Sequence, residues 1–452
     1  MKRLGSRSLL GPTIDMHIEA KQRILVLDKI LGWTALSSIF LSGLYVATKY
    51  GNLYFSYIVM AATYVLAAMR TGSFGVRKEY SFFFALLMGV SYLGYLVSSV
   101  NYGMGPSRFA SITIKIVMLA FCILFFTSIY NLYKKSARRL FKNYLQVALF
   151  FAVLGVFQQL VFVFFGFDLL SLFSAGAKHY ESYLGIAGLS VEPAFYACAL
   201  LPAGAYYVSE FTSNFKLSLS GSVIVTAVVF STSSLGYIGL FLSAAATIFF
   251  NMKLRSILVL VFTLPLLVFG AYKVSKLEFF QIRMNDTISV LTGAELTMAD
   301  GINLSTYSLA VNMTMSMRSV LDNYGLGAGF GAYSAVFDHY IGEYEMPGYR
   351  DDLPGRGSAT SLFARLTAEV GVVAWFFLLM ICIWNWREIR RSNFPAISIA
   401  YSATLVIILL RMGEYYVNGV VLVFLMVHWI QLEGRRKRTK SNAPIYVTRS
   451  KR

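Results

Sequence analysis

The chain has 452 residues, of which 57% are apolar and 14% are charged, and its formal net charge at pH 7 is +18. Because soluble proteins carry roughly 25% charged residues, this composition excludes an ordinary soluble domain. The three cysteines, Cys122, Cys198 and Cys382, all lie in apolar runs, which gives no support to a disulfide framework or a metal cluster.

Repeated apolar runs of about 17–24 residues match the length that a helix needs to cross a hydrocarbon core of ~30 Å. They predict an all-α polytopic membrane protein with about twelve transmembrane helices. The predicted spans are 30–48, 53–69, 81–99, 109–131, 144–166, 193–208, 217–231, 234–250, 256–272, 358–383, 396–412 and 418–432. Only Thr232 and Ser233 separate the seventh span from the eighth.

These spans divide the chain into five parts. They are an N-terminal arm (1–29), helices 1–9 with a smaller outer loop at 166–191 (30–272), a large outer loop (273–357), helices 10–12 (358–432) and a basic tail (433–452). The arm has no cleavable signal pattern, so we expect it to be cytoplasmic.

The positions of the basic residues predict the orientation. With the N-terminus inside, the inner segments hold 28 of the 40 Lys and Arg residues, the outer segments hold nine, and three lie within spans. This asymmetry follows the positive-inside rule and places both termini in the cytoplasm. The positive charge is therefore explained by topology, and we expect no nucleic-acid partner.

The large outer loop is the long hydrophilic interval of the chain, with ten acidic and six basic residues. Loops of this kind often carry function, although a solvated packing domain is the simpler alternative. Four arginines in this loop are candidate phosphate-binding residues, because guanidinium groups bind phosphate through paired hydrogen bonds. They are Arg283, Arg318, Arg350 and Arg356. Ordinary loop solvation is the alternative for each.

Glycines at 325, 327, 329 and 331 follow Arg318. Such a turn can present backbone N–H groups to an anion, but a glycine-rich turn alone is a weak signal. No strand–helix unit surrounds this one, which excludes a dinucleotide fingerprint.

Placing an ionisable side chain inside a membrane span costs free energy, so such side chains usually face a cavity or one another. Here they are Lys115, Arg365, Glu369 and Arg411, while Glu192 and Glu414 lie at outer span ends. Arg365 and Glu369 are four residues apart on one helix face, which fits a buried structural pair as well as a functional one. Glu192 precedes Pro193, so it is either a helix cap or a general base at the membrane surface.

Four segments, in this order and topology, resemble elements of the O-antigen polymerase and ligase family (Wzy and WaaL). They are GLSVEPAFYA (188–197), STSSLGYIGL (231–240), MRSVLDNYGLGAGFGAY (317–333) and SATSLFARLTAEVGVVAWFFLL (358–379). The resemblance covers about 166–383. It implies a GT-C-like membrane fold and an inverting, metal-independent glycosyltransferase in the bacterial inner membrane, with a periplasmic active site. The donor would be an oligosaccharide on undecaprenyl pyrophosphate, and neither a cofactor nor a nucleotide sugar would be needed.

Within that resemblance, Arg318 matches the family's loop arginine and Glu192 is the candidate base. The candidate pyrophosphate-binding residues are Arg283, Arg356, Arg365, Arg411, Gly327 and Gly329. Family ligases tend to have a histidine shortly before the closing span, where this chain reads Gly-Ser-Ala-Thr-Ser (357–361). That difference favours an O-antigen polymerase over a ligase that transfers glycan to lipid A-core.

A transporter of lipid-linked glycans is the alternative from another class. It is disfavoured because the polar residues of interest concentrate on one side. The family also implies a chain-length regulator of the Wzz type and a flippase of the Wzx type as partners.

Overall fold

The computed structural model describes residues 26–48, 51–170, 178–179, 183–251, 304–344, 346, 353–391, 395–417 and 419–441. The predicted span 256–272 and the candidate residue Arg283 lie outside the described residues, as do Arg350 and most of the N-terminal arm.

The described chain is mostly helical, as the apolar runs predict. The helices are α1 (26–37), α2 (Phe55–Thr71), α3 (Lys78–Tyr102), α4 (Pro106–Leu132), α5 (Ala137–Phe165), α6 (Pro193–Asn214), α7 (Leu219–Phe230), α8 (Ser234–Asn251), α9 (Leu304–Asp322), α10 (Tyr333–Tyr340), α11 (Leu362–Val370), α12 (Val372–Arg391), α13 (Pro395–Arg411) and α14 (Val420–Ser441). Short 3-10 turns lie at Ser38–Phe40 and Ile341–Glu343.

Four of these helices, α3, α4, α5 and α12, are long and apolar enough to cross a membrane. The shorter helices α2, α7, α8 and α13 are also apolar. The prediction of a helical membrane protein is confirmed at this level.

The predicted span 30–48 is wrong as one continuous helix. Helical structure ends at Phe40, and strand β1 (Tyr45–Thr48) then pairs antiparallel with β2 (Gly51–Tyr54). Apolar character alone does not distinguish a helix from a strand, and aromatic and β-branched residues near the turn favour the strand. A second, very short hairpin joins β3 (Lys178–His179) to β4 (Leu184–Gly185) in the smaller outer loop.

Helix α6 lies in the middle of the helical packing, against α7, α8 and α13. Small residues make this possible because they let neighbouring helix backbones approach closely. Gly239 of α8 illustrates the closeness, since a Cβ at that position would lie 2.4 Å from a side-chain methyl of Leu201 on α6.

The predicted closing span 358–383 is also wrong as a single helix, since it is divided into α11 and α12 at Gly371. Ser361 caps the start of α11 by accepting a hydrogen bond from the Ala364 N–H (3.3 Å). Gly371 has a φ of +67°, and a Cβ there would lie 1.9 Å from the carbonyl oxygen of Gly325. The helix breaks because another part of the chain docks against its end.

Candidate functional site

The segment that docks on the end of α11 is the glycine turn, residues 325–331. The Ala328 N–H donates to the Ala368 oxygen (2.8 Å) and the Gly329 N–H donates to the Glu369 oxygen (2.9 Å). Gly327 and Gly329 are both buried. The Gly329 N–H is therefore already hydrogen-bonded. An anion that binds this N–H would have to replace the Glu369 backbone oxygen as its acceptor.

This turn leads directly into α10, which is the centre of the candidate site. α10 packs against α9, α11 and α3, so helices from both halves of the described chain surround it. Tyr333 at its start donates through its hydroxyl to Asn312 of α9. Tyr340 at its end donates through its hydroxyl to Asp322, and the hydroxyls of Tyr340 and Tyr102 lie 3.1 Å apart.

Arg318 of α9 lies beside the end of α10. Its guanidinium forms an ion pair with Glu343 and lies over the Tyr340 ring, 4.5 Å from the centroid. The hydrogen bond to Glu343 raises the pKa of the Arg318 guanidinium above its usual value, and the same bond lowers the pKa of Glu343. Because 39% of its side chain is exposed, Arg318 is open to a ligand.

Asp338, on the exposed face of α10, holds two further arginines. Arg356 binds its carboxylate through two nitrogens, Nε at 2.7 Å and Nη2 at 3.1 Å. Arg108 of α4 reaches the same carboxylate at 3.5 Å and donates to the Ser334 hydroxyl at 2.7 Å. Three partly exposed arginines, Arg108, Arg318 and Arg356, are thus arranged around one short helix. We refer to them as the α10 arginine cluster.

The tyrosine at the end of α10 is held in its neutral form. Burial raises the pKa of the Tyr340 hydroxyl, and the hydrogen bond to Asp322 raises it further. Its ring therefore offers Arg318 an apolar face with a fixed orientation, which favours a planar guanidinium stacked on it.

Arg365 of α11 differs from the α10 arginine cluster because it is buried, with 1% of its side chain exposed. It forms ion pairs with Glu369 (3.0 Å) and Glu414 (3.6 Å) and donates to the Gly413 carbonyl oxygen (2.5 Å). Its guanidinium also lies 4.5 Å from the centroid of the Tyr415 ring. The structure thus places Arg365 in a buried network, whereas the α10 arginine cluster is partly exposed.

Two candidates remain, Glu192 and Arg411. Glu192 is the residue before α6, and its side chain makes no capping hydrogen bond. Within the described residues its carboxylate forms no ion pair either. Arg411, at the end of α13, donates to the backbone oxygen of Ser305 (3.2 Å) and to the Ser305 hydroxyl, which ties α13 to the start of α9.

Arg108, Asp338 and Tyr340 were not among the residues selected from the sequence. One signal could have found Arg108, because it is the one basic residue of the short segment 100–108, which the charge distribution predicts to be outer. Asp338 and Tyr340 carry no comparable signal, since their importance comes from partners more than fifteen residues away.

The apolar helices define the class of protein, a helical membrane protein, and the polar segment between them carries Arg318 and Arg356 of the α10 arginine cluster. No protein-family model matches the sequence, and no curated protein matches it.

Proposed function

We propose that this chain is an O-antigen, or related surface-polysaccharide, polymerase. It would join repeat units carried on undecaprenyl pyrophosphate at the periplasmic face of a bacterial inner membrane. The observation that supports this is the α10 arginine cluster, three partly exposed guanidinium groups around one short helix. Two of them lie on the polar segment between apolar helices, and Arg108 reaches the same helix from the start of α4.

Arginine suits a pyrophosphate because its planar group makes paired hydrogen bonds and keeps its charge. In the free protein, Arg318 is held between the Tyr340 ring and the exposed Glu343. A pyrophosphate would take the place of Glu343 while the ring keeps the guanidinium in position. Arg356 and Arg108 share Asp338 and can contribute further hydrogen bonds.

In the proposed reaction, an acceptor hydroxyl attacks the anomeric carbon of the donor sugar from the face opposite the pyrophosphate. The carbon–oxygen bond to the pyrophosphate breaks, and negative charge increases on the departing group. Hydrogen-bond donors placed where charge develops lower the barrier, and this is the role proposed for Arg318. The activating phosphate is already part of the donor.

The proposal includes twelve membrane crossings with both termini in the cytoplasm. This arrangement accounts for the 28 basic residues on inner segments and the nine on outer ones. It puts the α10 arginine cluster on the outer side, where a lipid-linked glycan presents its sugars. Helix α7, with 12 residues, is shorter than a crossing of ~30 Å requires, so α7 and α8 are the pair to examine first.

The test uses the purified protein in detergent with a defined undecaprenyl-pyrophosphate oligosaccharide and no nucleotide sugar, with products separated by gel mobility. A ladder of longer lipid-linked glycans is expected of a polymerase. Transfer that occurs only when lipid A-core is supplied would instead make the protein a ligase. A protein that transfers glycan to neither acceptor would contradict the proposal and favour a transporter.

A further inference from the structure

The buried network around Arg365 contains two carboxylates with different surroundings. Arg365 Nε lies 3.0 Å from Glu369, and its Nη1 lies 3.6 Å from Glu414. Glu369 is fully buried, whereas 33% of the Glu414 side chain is exposed. The same guanidinium therefore holds one carboxylate inside the protein and one at its surface.

Glu369 has its hydrogen-bonding capacity largely filled. It accepts from Arg365 Nε (3.0 Å), from the Tyr415 hydroxyl (2.7 Å) and from the Tyr333 N–H (3.4 Å). An ionised carboxylate has about four acceptor positions, so little remains for a substrate. Glu369 is a structural residue that connects α10, α11 and the segment after α13.

Glu414 has no hydrogen bond with the described part of the chain, and its one ion pair is the long contact to Arg365. That contact orients the carboxylate while leaving oxygen positions open toward solvent. Lys115 of α4 also interacts electrostatically with Glu414, Glu369 and Arg365. Arg365 is thus paired with two carboxylates, of which only Glu414 has an accessible acceptor.

The backbone beside Glu414 is strained. Ala359 and Thr360 both have a φ of +55°, and a β-branched residue such as Thr rarely adopts this conformation. This turn packs directly on the residue before Glu414, since a Cβ at Gly413 would lie 1.9 Å from the Ser358 oxygen. Such conformations persist where the surrounding structure imposes them, and they concentrate at functional sites.

We propose that Glu414, and not Glu192, is the general base of the glycosyl transfer proposed above, on which this inference rests. Glu414 accepts the proton of the acceptor hydroxyl while the hydroxyl oxygen forms the bond to the anomeric carbon. The bond from that carbon to the pyrophosphate breaks, its electron pair leaves with the lipid pyrophosphate, and Glu414 then releases its proton to water.

The contrast with Glu192 supports this assignment. A general base must be held within hydrogen-bond reach of the proton that it removes. Glu192 lies before α6 with no capping bond to orient its side chain. Glu414 is oriented by a buried arginine that is itself fixed by Glu369, Gly413 and Tyr415.

The experiment measures transfer with the defined lipid-linked oligosaccharide for Glu414→Gln, Glu192→Gln and Glu210→Gln. Glu210 is the matched control because it lies at the opposite end of α6 from Glu192. Donor binding is measured separately by native mass spectrometry. We expect Glu414→Gln to bind the donor like the wild type but to transfer at least about 100-fold more slowly. The other two variants are expected to remain near the wild-type rate.

A Glu414→Gln protein with the wild-type rate, or a comparable loss in Glu192→Gln alone, would overturn the assignment while leaving the transferase proposal intact. A wild type without transfer would overturn both.

If Glu414→Gln has a lowered melting temperature, the Glu414→Asp variant is used in its place, because it keeps a carboxylate. Measurable transfer by the Asp variant, with none by a Glu414→Ala variant of equal stability, is the expected result, and equal rates would overturn the assignment.

Discussion

Two arginines selected from the sequence occupy different environments. Arg318 pairs with an exposed glutamate, and such surface pairs are easily exchanged for another anion. Arg365 pairs with a fully buried glutamate, and removing one partner of such a pair leaves an uncompensated buried charge. Arg318 is therefore the residue suited to a ligand, and Arg365 the residue suited to holding the fold.

Replacing Arg318 tests this distinction. We expect Arg318→Ala to lower the transfer rate by about 100-fold or more, because a donor to the developing pyrophosphate charge is lost. Arg318→Lys should recover little of that rate, since an ammonium group cannot make planar paired hydrogen bonds. The rates are measured with the defined lipid-linked donor, and melting temperatures are measured alongside.

The matched control is Arg390→Ala, which removes another arginine stacked on an aromatic ring, here Trp386 at 5.0 Å. It lies at the far end of α12 and should transfer at the wild-type rate. Normal product lengths from Arg318→Ala would exclude the role proposed for that residue.

At the scale of elements, the fold around the site depends on the docking of the glycine turn against α11. The turn supplies the backbone hydrogen bonds that align α10 with α11, and it breaks the closing span at Gly371. Its glycines serve close backbone contact, and the anion-binding role of Gly327 and Gly329 stays a prediction. The consequence is that α10, and with it Asp338 and Tyr340, is positioned by the backbone contacts of the glycine turn.

Gly329→Ala tests this dependence. Gly329 has a φ of +98°, and a Cβ there would lie 2.7 Å from the Ser91 backbone oxygen. We expect a loss of stability of about 1–3 kcal/mol, because both the conformation and the contact are unfavourable for alanine. The change is measured as a lowered melting temperature together with a lowered transfer rate.

Gly342→Ala is the control, since a Cβ at Gly342 meets no atom within 4 Å and its φ is not positive. That variant should keep the wild-type melting temperature. Equal melting temperatures for the two variants would show that the turn does not depend on close backbone contact.

For the whole molecule, the distribution of charge predicts which side each segment faces. Gly342, beside α10, is predicted to be outside, and Arg139, at the start of α5, is predicted to be inside. The native cysteines Cys122 and Cys198 are buried and Cys382 is exposed, so all three are first replaced by alanine.

In that background, single Gly342→Cys and Arg139→Cys variants are treated with a membrane-impermeant maleimide in right-side-out vesicles. We expect Gly342→Cys to react at once and Arg139→Cys to react only after the membrane is permeabilised. The reverse labelling pattern would show that the orientation is the opposite of the predicted one. The α10 arginine cluster would then lie on the cytoplasmic side, which would contradict the proposed use of a periplasmic donor.

Part of the site could be read from the sequence. The proline at 193 and the predicted span that begins there indicated the start of α6, and that helix is present. The Arg365–Glu369 spacing indicated a shared helix face, and the two side chains do form an ion pair. These features depend on residues within about one helical turn of each other, which is the range over which a sequence pattern carries information.

The sequence by itself determined the apolar helices and the asymmetry of charge, because hydrophobic length and the count of basic residues are properties of short segments. Only the tertiary structure decided that Arg365 is buried while Arg318 is exposed, that Gly371 breaks a span, and that Glu414 keeps an open carboxylate oxygen. Each of these depends on contacts between residues far apart in the chain, such as the Gly325 carbonyl against Gly371, and no local pattern encodes such contacts.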